Sequence, residues 1–190
     1  YHDIRYIRLN STPSQKHLHD KLAALEGAEA AVAASSGMAA LTTTLMALLQ
    51  PGDHLLSTEC LYGGTHDFLT SRAEGLGWTY TFVDGHRPET WEAARRPTTR
   101  AFLTEAITNP LMRVARHAEI VAFARQHGLV SVIDNTFATP VNFQPLAFGY
   151  DVAFHSATKY LNGHSDLVAG CVMGREPLIE SIRKTLNLFG

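Results

Sequence analysis

The chain has 190 residues, 45% of them hydrophobic and 18% charged, enough for one domain with a sizeable core. A formal net charge of −2 removes the electrostatic reason to expect nucleic-acid binding or attraction to an anionic membrane, and no apolar run approaches the ~20 residues a membrane-crossing helix needs. Two cysteines, Cys60 and Cys171, form neither a disulfide framework nor a metal-ligand spacing and read as reduced thiols of a cytoplasmic protein; the ten histidines include no HExxH, so no metal site is expected.

In chain order, the opening "YHDIRYIRLN" is polar and unlike a signal peptide. A helix is predicted over "SQKHLHDKLAALEG" (14–27), closed by Gly27, and a strand over "AAVAA" (30–34). The next helix, "MAALTTTLMALLQ" (38–50), stops at Pro51-Gly52 and leads to a strand at "HLLST" (54–58). Then come helix "GTHDFLTSRAEGLG" (64–77), strands "TYTFVD" (79–84) and "AFLTE" (101–105), and helix "HAEIVAFARQHG" (117–128). Strands "LVSVID" (129–134), "VAFHS" (152–156) and "LVAGCVM" (167–173) follow, and the helical pattern "EPLIESIRKTLNLF" runs close to the last residue. Several strands are apolar without alternation, as expected for strands covered on both faces. The repeated β-then-α order predicts an α/β fold with a mostly parallel sheet, in one domain. In such sheets ligands bind beyond the carboxyl ends of the strands, so the chemistry is expected where strands end.

Three strand ends carry reactive residues. "VSVIDNTF" ends an apolar run with Asp134, which either caps the next turn or aims a carboxylate at a cationic ligand atom such as a protonated pyridine nitrogen. "VAFHSATKY" ends with Ser156, Thr158 and Lys159. The two hydroxyls can donate to one anion, and the lysine can form a Schiff base with an aldehyde; a solvated Ser-Ala-Thr-Lys loop is the bland alternative. "AASSGMAAL" is a strand, a small-residue turn and a helix start, where the N–H groups of Gly37 and Met38 form an anion site. It contains neither GxGxxG nor GxxxxGK[ST], so it is not a dinucleotide fingerprint or a P-loop. Together the three ends offer what pyridoxal phosphate needs: an anion cradle, an acid for its ring nitrogen and an amine for its aldehyde.

The segments "YIRLNSTP", "KLAALEGAEAAVAASSGMAAL", "PGDHLL", "YGGTHDFL", "TEAITNPLMRV", "VIDNTFATP" and "HSATKYLNGHSDLVAGCV" occur in this order along nearly the whole chain. In them the sequence resembles the Cys/Met-metabolism family of pyridoxal-phosphate enzymes, which includes cystathionine γ-lyase, cystathionine γ-synthase, methionine γ-lyase and homoserine-ester sulfhydrylases. The resemblance implies the large domain of the fold type I pyridoxal-phosphate transferases over residues 1–190, with an N-terminal arm over about 1–13. A C-terminal substrate domain, with the arginine for the substrate carboxylate, is expected to lie outside this sequence. The resemblance implies further that Lys159 carries the cofactor and shuttles protons, that Asp134 pairs with the ring nitrogen, and that Gly37, Met38, Ser156 and Thr158 hold the phosphate. Tyr62 would stack on the ring and assist catalysis, Asn109 would bond the ring hydroxyl, and Glu105 would support them. Tyr6 and Arg8 would reach the phosphate of a neighbouring subunit, in a homotetramer built as a dimer of dimers.

Two departures stand out. Asn10 comes one position early against the family's Tyr-x-Arg-x-x-Asn-Pro-Thr, and Gly64 stands where methionine γ-lyases often carry cysteine. The activity implied is γ-elimination or γ-replacement on a sulfur amino acid or homoserine ester. The alternatives are β-lyase or O-acylhomoserine sulfhydrylase chemistry within the same family, transamination, or a catalytically silent oligomerisation fragment.

Overall fold

The computed structural model describes residues 6–189. Residues 1–5 of the expected N-terminal arm lie outside the described residues. The arm's described part makes a 3-10 turn at Ile7–Leu9, closed by Asn10 in the left-handed region (φ 54°). The early asparagine thus ends one turn just ahead of the next helix. Its amide also donates to Asn187 Oδ1 (3.2 Å), tying the arm to the far end of the chain.

Helix α1 (Pro13–Glu26) starts on a capping box: Thr12 Oγ1 accepts from the Gln15 N–H, and the Gln15 side chain accepts from the Thr12 N–H. Gly27 ends it in the left-handed conformation that glycine adopts without steric cost. There follow β1 (Ala30–Ala34), α2 (Gly37–Leu48), β2 (His54–Thr58), α3 (Gly63–Arg72), β3 (Thr79–Val83), α4 (Trp91–Ala94) and β4 (Thr99–Glu105). The second half consists of α5 (His117–His127), β5 (Val130–Asp134), α6 (Thr139–Asn142), α7 (Pro145–Phe148), β6 (Val152–His155), β7 (Gly170–Gly174) and α8 (Glu176–Phe189). All seven expected strands form. The helix expected to reach residue 77 stops at Arg72 and continues as a 3-10 turn at Glu74–Leu76, where Gly75 and Gly77 weaken the helical register.

The strands form one sheet in the order β1-β7-β6-β5-β4-β2-β3. The pairs β2–β3, β2–β4, β4–β5 and β5–β6 are parallel, and β7 runs antiparallel between β6 and β1. Helices cover both faces. On one, α2, α3 and α8 bury Leu41, Leu45, Leu69, Ile179 and Ile182 against Val32, Leu55, Leu103, Val132 and Val172. On the other, α4 and α5 bury Trp91 and Ile120 against Leu56, Phe102 and Ile133, while Leu22 and Ala23 of α1 pack on Ala31, Cys171 and Met173. Each such buried aliphatic side chain contributes about 1.5–3 kcal/mol of transfer free energy. Apolar residues at successive strand positions serve both faces at once, which is why the runs read without alternation.

Because β1, β4, β5 and β6 point the same way, Ala34, Glu105, Asp134 and His155 end at one edge of the sheet. Among the described residues, no helix is long and apolar enough to cross a membrane.

Candidate active site

At that edge lies a cavity of about 330 Å³. Nine residues singled out from the sequence line it: Gly37, Met38, Tyr62, Glu105, Asn109, Asp134, Ser156, Thr158 and Lys159. They come from the β1–α2 turn, the start of α3, the ends of β4 and β5, and the turn after β6. Tyr6 and Arg8 are not among its lining. Arg8 sits 5.7 Å over the Tyr6 ring and donates to the Asn187 carbonyl at 3.0 Å, at the end of α8. A larger groove, about 850 Å³, runs between α1, β1 and α8, but its mixed lining of Lys16, Asp20, Glu180, Arg183 and Lys184 holds none of the predicted residues.

Where the anion cradle is expected, backbones approach closely. Ser36 caps α2 by accepting from the Ala39 N–H (3.0 Å), which leaves the first-turn N–H groups of Gly37 and Met38 without intrahelical partners. A Cβ on Gly37 would lie 2.6 Å from Ser156 Cβ, so only glycine lets the helix start meet the Ser156 turn. Gly170, which was not singled out from the sequence, is tighter still: a Cβ there would lie 2.0 Å from the Ser36 carbonyl oxygen. Its signal was available, since a glycine inside a strand pattern marks close approach of another backbone. The Thr158 hydroxyl is engaged elsewhere, donating to the Ala169 carbonyl and accepting from the Ala169 N–H, both at 3.0 Å. Ser156 therefore presents the more available hydroxyl.

Asp134 ends β5 half-buried on the cavity side. Thr136, a second residue missed from the sequence, donates its hydroxyl (2.5 Å) and its N–H (2.9 Å) to Asp134 Oδ1. The Thr136 oxygen accepts from the Ser156 N–H (2.8 Å), linking the acid to the cradle. Burial pushes the Asp134 carboxyl up from the ordinary aspartate range, against these two hydrogen bonds and the nearby His155. A cationic partner is what such a carboxylate calls for.

Lys159 follows in a turn closed by its N–H on the Ser156 carbonyl (3.0 Å) and by the Gly163 N–H on its own carbonyl (2.9 Å). Among the described residues its ammonium has neither an ion pair nor a hydrogen bond. The loop beyond is closed by Asn162, whose amide donates to the His164 carbonyl and to Asp166 Oδ1.

Glu105 takes two backbone donors, the Tyr62 N–H on Oε1 (2.5 Å) and the Asn109 N–H on Oε2 (3.1 Å). It so fixes the segments that carry Tyr62 and Asn109, both of which line the cavity. Tyr62 is half-exposed, and its ring closes over Gly64: a Cβ at 64 would lie 2.6 Å from Tyr62 Cε1 and 3.2 Å from Met38 Sδ. Burial, then the repulsion of Asp134, raise the Glu105 carboxyl to about 7 against those two hydrogen bonds. In the unfolded chain it titrates near 4.5, so its contribution is fully present below that pH and is lost as pH rises through 7. Glu105→Gln removes this dependence. From pH 5 to 8, urea unfolding of the apo-protein is expected to show wild type losing about 2.5 kcal/mol relative to the variant. Parallel stability curves for the two proteins would refute the assignment.

The family description Cys/Met metabolism PLP-dependent enzyme matches residues 2–190. The chain belongs to that family. Relatives include the L-methionine gamma-lyase of Pseudomonas putida, 43% identical over 94% of this chain and 44% of its own length. The cystathionine gamma-lyase of Bacillus subtilis is 43% identical over 86% of this chain and 43% of its own. Among solved structures, cystathionine gamma-lyase from Lactobacillus plantarum, complexed with L-serine, superposes with a TM-score of 0.92 at 38% identity, over 97% of this chain and 48% of that one. The chain spans about half the length of the curated relatives it matches. The family's cofactor is pyridoxal phosphate, and the cavity fits it. A helix start that meets the Ser156 turn through Gly37 suits a phosphate, a half-buried carboxylate suits a protonated ring nitrogen, and an amine with no ion pair or hydrogen bond among the described residues suits an aldehyde.

Proposed function

We propose that this cavity binds pyridoxal phosphate and that the protein catalyses γ-elimination or γ-replacement on a sulfur amino acid or homoserine ester, as a cystathionine γ-lyase or γ-synthase type of enzyme. The carrying observation is the convergence of the nine residues on one cavity, whose lining includes a half-buried aspartate and a lysine amine without an ion pair or hydrogen bond among the described residues. When bound, the cofactor supplies an aldehyde for an amine and a protonated ring that withdraws electrons from the substrate's α-carbon. The Gly37 and Met38 N–H groups and the Ser156 hydroxyl hold the phosphate, with Thr158 beside them on a hydroxyl shared with Ala169. Asp134, steadied by Thr136, accepts from the ring N–H. Asn109 donates to the ring hydroxyl, and Tyr62 covers the ring face and assists proton removal from the incoming amine. The Lys159 amine carries the cofactor at rest; once free, it takes and returns protons at the substrate's α- and β-carbons so that the γ-substituent leaves.

Residues 1–190 make up the large, cofactor-binding domain in this reading, with residues up to about 13 as its arm. No arginine lines the cavity among the described residues; in this reading an arginine of a C-terminal substrate domain clamps the substrate carboxylate. Tyr6 and Arg8, exposed away from the cavity, reach the phosphate of a neighbouring subunit in a dimer of dimers. Two unpaired thiols, with burial pushing Cys171 up to about 12, suit a reducing cytoplasm.

Steady-state assays of the full-length protein with cystathionine, methionine, and an O-acylhomoserine plus a thiol test the reading. Release of 2-oxobutanoate and ammonia, or formation of a thioether, is expected. An amino group exchanged onto a keto acid instead would assign transamination.

A further inference from the structure

Behind the sheet, on the face opposite the cavity, a single buried oxygen holds two strand ends together. Glu26 is the last residue of α1 and is 0% exposed. A carboxylate there faces the negative end of its own helix and is cut off from water, so the placement costs stability on two counts. Its Oε1 lies 2.6 Å from His155 Nε2 and accepts from Asn135 Nδ2 at 2.9 Å. His155 and Asn135 are themselves 1% and 0% exposed. The second donor hydrogen of Asn135 goes to the Phe143 carbonyl at 2.9 Å, which fixes the amide's orientation.

The identities of the two donors are telling. Asn135 directly follows Asp134, and His155 directly precedes Ser156, the first residue of the turn that carries Lys159. Alternation along a strand turns neighbouring side chains to opposite faces. Asp134 pairs in register with Phe154, so His155, one residue on, turns to the other face. Asn135, just past β5, reaches the same Glu26 of α1, while Asp134 and Ser156 line the cavity. His155 pairs in register with Cys171, which packs in the α1 cluster with Leu22 and Ala23. On the cavity side the same two strand ends are joined by Thr136, through Asp134 Oδ1 and the Ser156 N–H. The ends of β5 and β6 are thus fastened from both faces, by Thr136 in front and by Glu26 behind.

We propose that Glu26, acting through Asn135 and His155, is a positioning residue that sets the distance between Asp134 and the Ser156–Lys159 turn, and with it the affinity for pyridoxal phosphate. The inference rests on the reading that the cavity holds this cofactor. A nearby His155 also favours the charged form of Asp134, the form that reading requires. Glu26→Ala removes the shared acceptor and leaves two buried donors facing nothing, so the strand ends are free to part. Glu26→Gln keeps an acceptor oxygen between the two donors.

The test uses the full-length protein and three variants: Glu26→Ala, Glu26→Gln and, as a core control away from the cavity, Leu186→Ala. Cofactor affinity is read by titrating each apo-protein with pyridoxal phosphate, and geometry by the pH midpoint of the bound cofactor's visible band. Glu26→Ala is expected to weaken binding at least tenfold and to move the midpoint by half a pH unit or more. Glu26→Gln is expected to stay within about threefold of wild type, and Leu186→Ala to lower thermal stability with affinity and midpoint unchanged. If Glu26→Ala matches Leu186→Ala in both readouts, the pair is a structural contact and the proposal is overturned. Should Glu26→Ala fail to fold, Asn135→Ala cuts one of the two ties alone; a severalfold loss of affinity is expected, and wild-type affinity overturns the proposal. Wild type that takes up no pyridoxal phosphate would instead overturn the reading of the cavity, a result distinct from any difference among variants.

Discussion

Lys159→Ala in the full-length protein is expected to abolish turnover, by on the order of 10³-fold or more, while leaving the fold almost untouched. The separation follows from the lysine's surroundings. Its side chain is exposed, and among the described residues its ammonium makes no ion pair or hydrogen bond, so truncation opens no cavity and strands no charge. Substitutions of that kind change stability by about 0.5 kcal/mol or less. The turn itself is held by backbone bonds that alanine keeps, from the Lys159 N–H to the Ser156 carbonyl and from the Gly163 N–H to the residue 159 carbonyl. What is lost is, among the described residues, the one lysine lining the cavity. After borohydride reduction, peptide mass analysis of wild type is expected to find the cofactor on Lys159. A variant that still forms a reducible attachment, or still turns over, would mean that another amine does the work.

The sequence made the acid, the amine and the cradle visible for a common physical reason. Asp134 closes an apolar run too hydrophobic to be a surface strand, Ser156 and Lys159 sit within a few residues of the end of another, and Gly37 opens a helix after a third. Local pattern alone marks positions of that sort. The direction of β7 was not visible. The run 167–173 looked like a strand from its start, yet Leu167–Ala169 stay outside it because Ala169 pairs its N–H and carbonyl with Thr158. Pairing begins only at Gly170, antiparallel to both neighbours. Helices α4, α6 and α7, four residues each, are too short to show a 3.6-residue period. Glu26 could not be read at all. At the end of a helical pattern it resembles any solvated glutamate, and its partners Asn135 and His155 lie 109 and 129 positions away. Thr136 was hidden differently, since a threonine after Asp-Asn reads as turn chemistry and its second partner, Ser156, comes 20 residues later.

Gly170→Ala is the substitution expected to damage the fold and the cradle together. An alanine methyl at this position would sit 2.0 Å from the Ser36 carbonyl oxygen, 2.5 Å from its carbon and 2.9 Å from the Gly37 nitrogen. All three are backbone atoms, so no side-chain rotation relieves the overlap. β7 cannot back away, because it is hydrogen-bonded to β1 on one side, with Gly170 opposite Ala34, and to β6 on the other. The strain must instead move the Ser36–Gly37 turn, and with it the Gly37 and Met38 N–H groups of the proposed anion site. Overpacking of this kind costs about 2–3 kcal/mol. The affinity for pyridoxal phosphate is expected to fall at least tenfold, since displaced amides no longer converge on one phosphate. Gly75→Ala provides the matched comparison: the same methyl there meets nothing within 4 Å, and stiffening of the unfolded chain is expected to make the change neutral or stabilising by up to about 1 kcal/mol. Urea midpoints and cofactor titrations of the two variants decide the matter. If Gly170→Ala behaves like Gly75→Ala in both, β7 does not set the cradle, and the convergence of Ser36, Gly37 and Ser156 must be held by α2 alone.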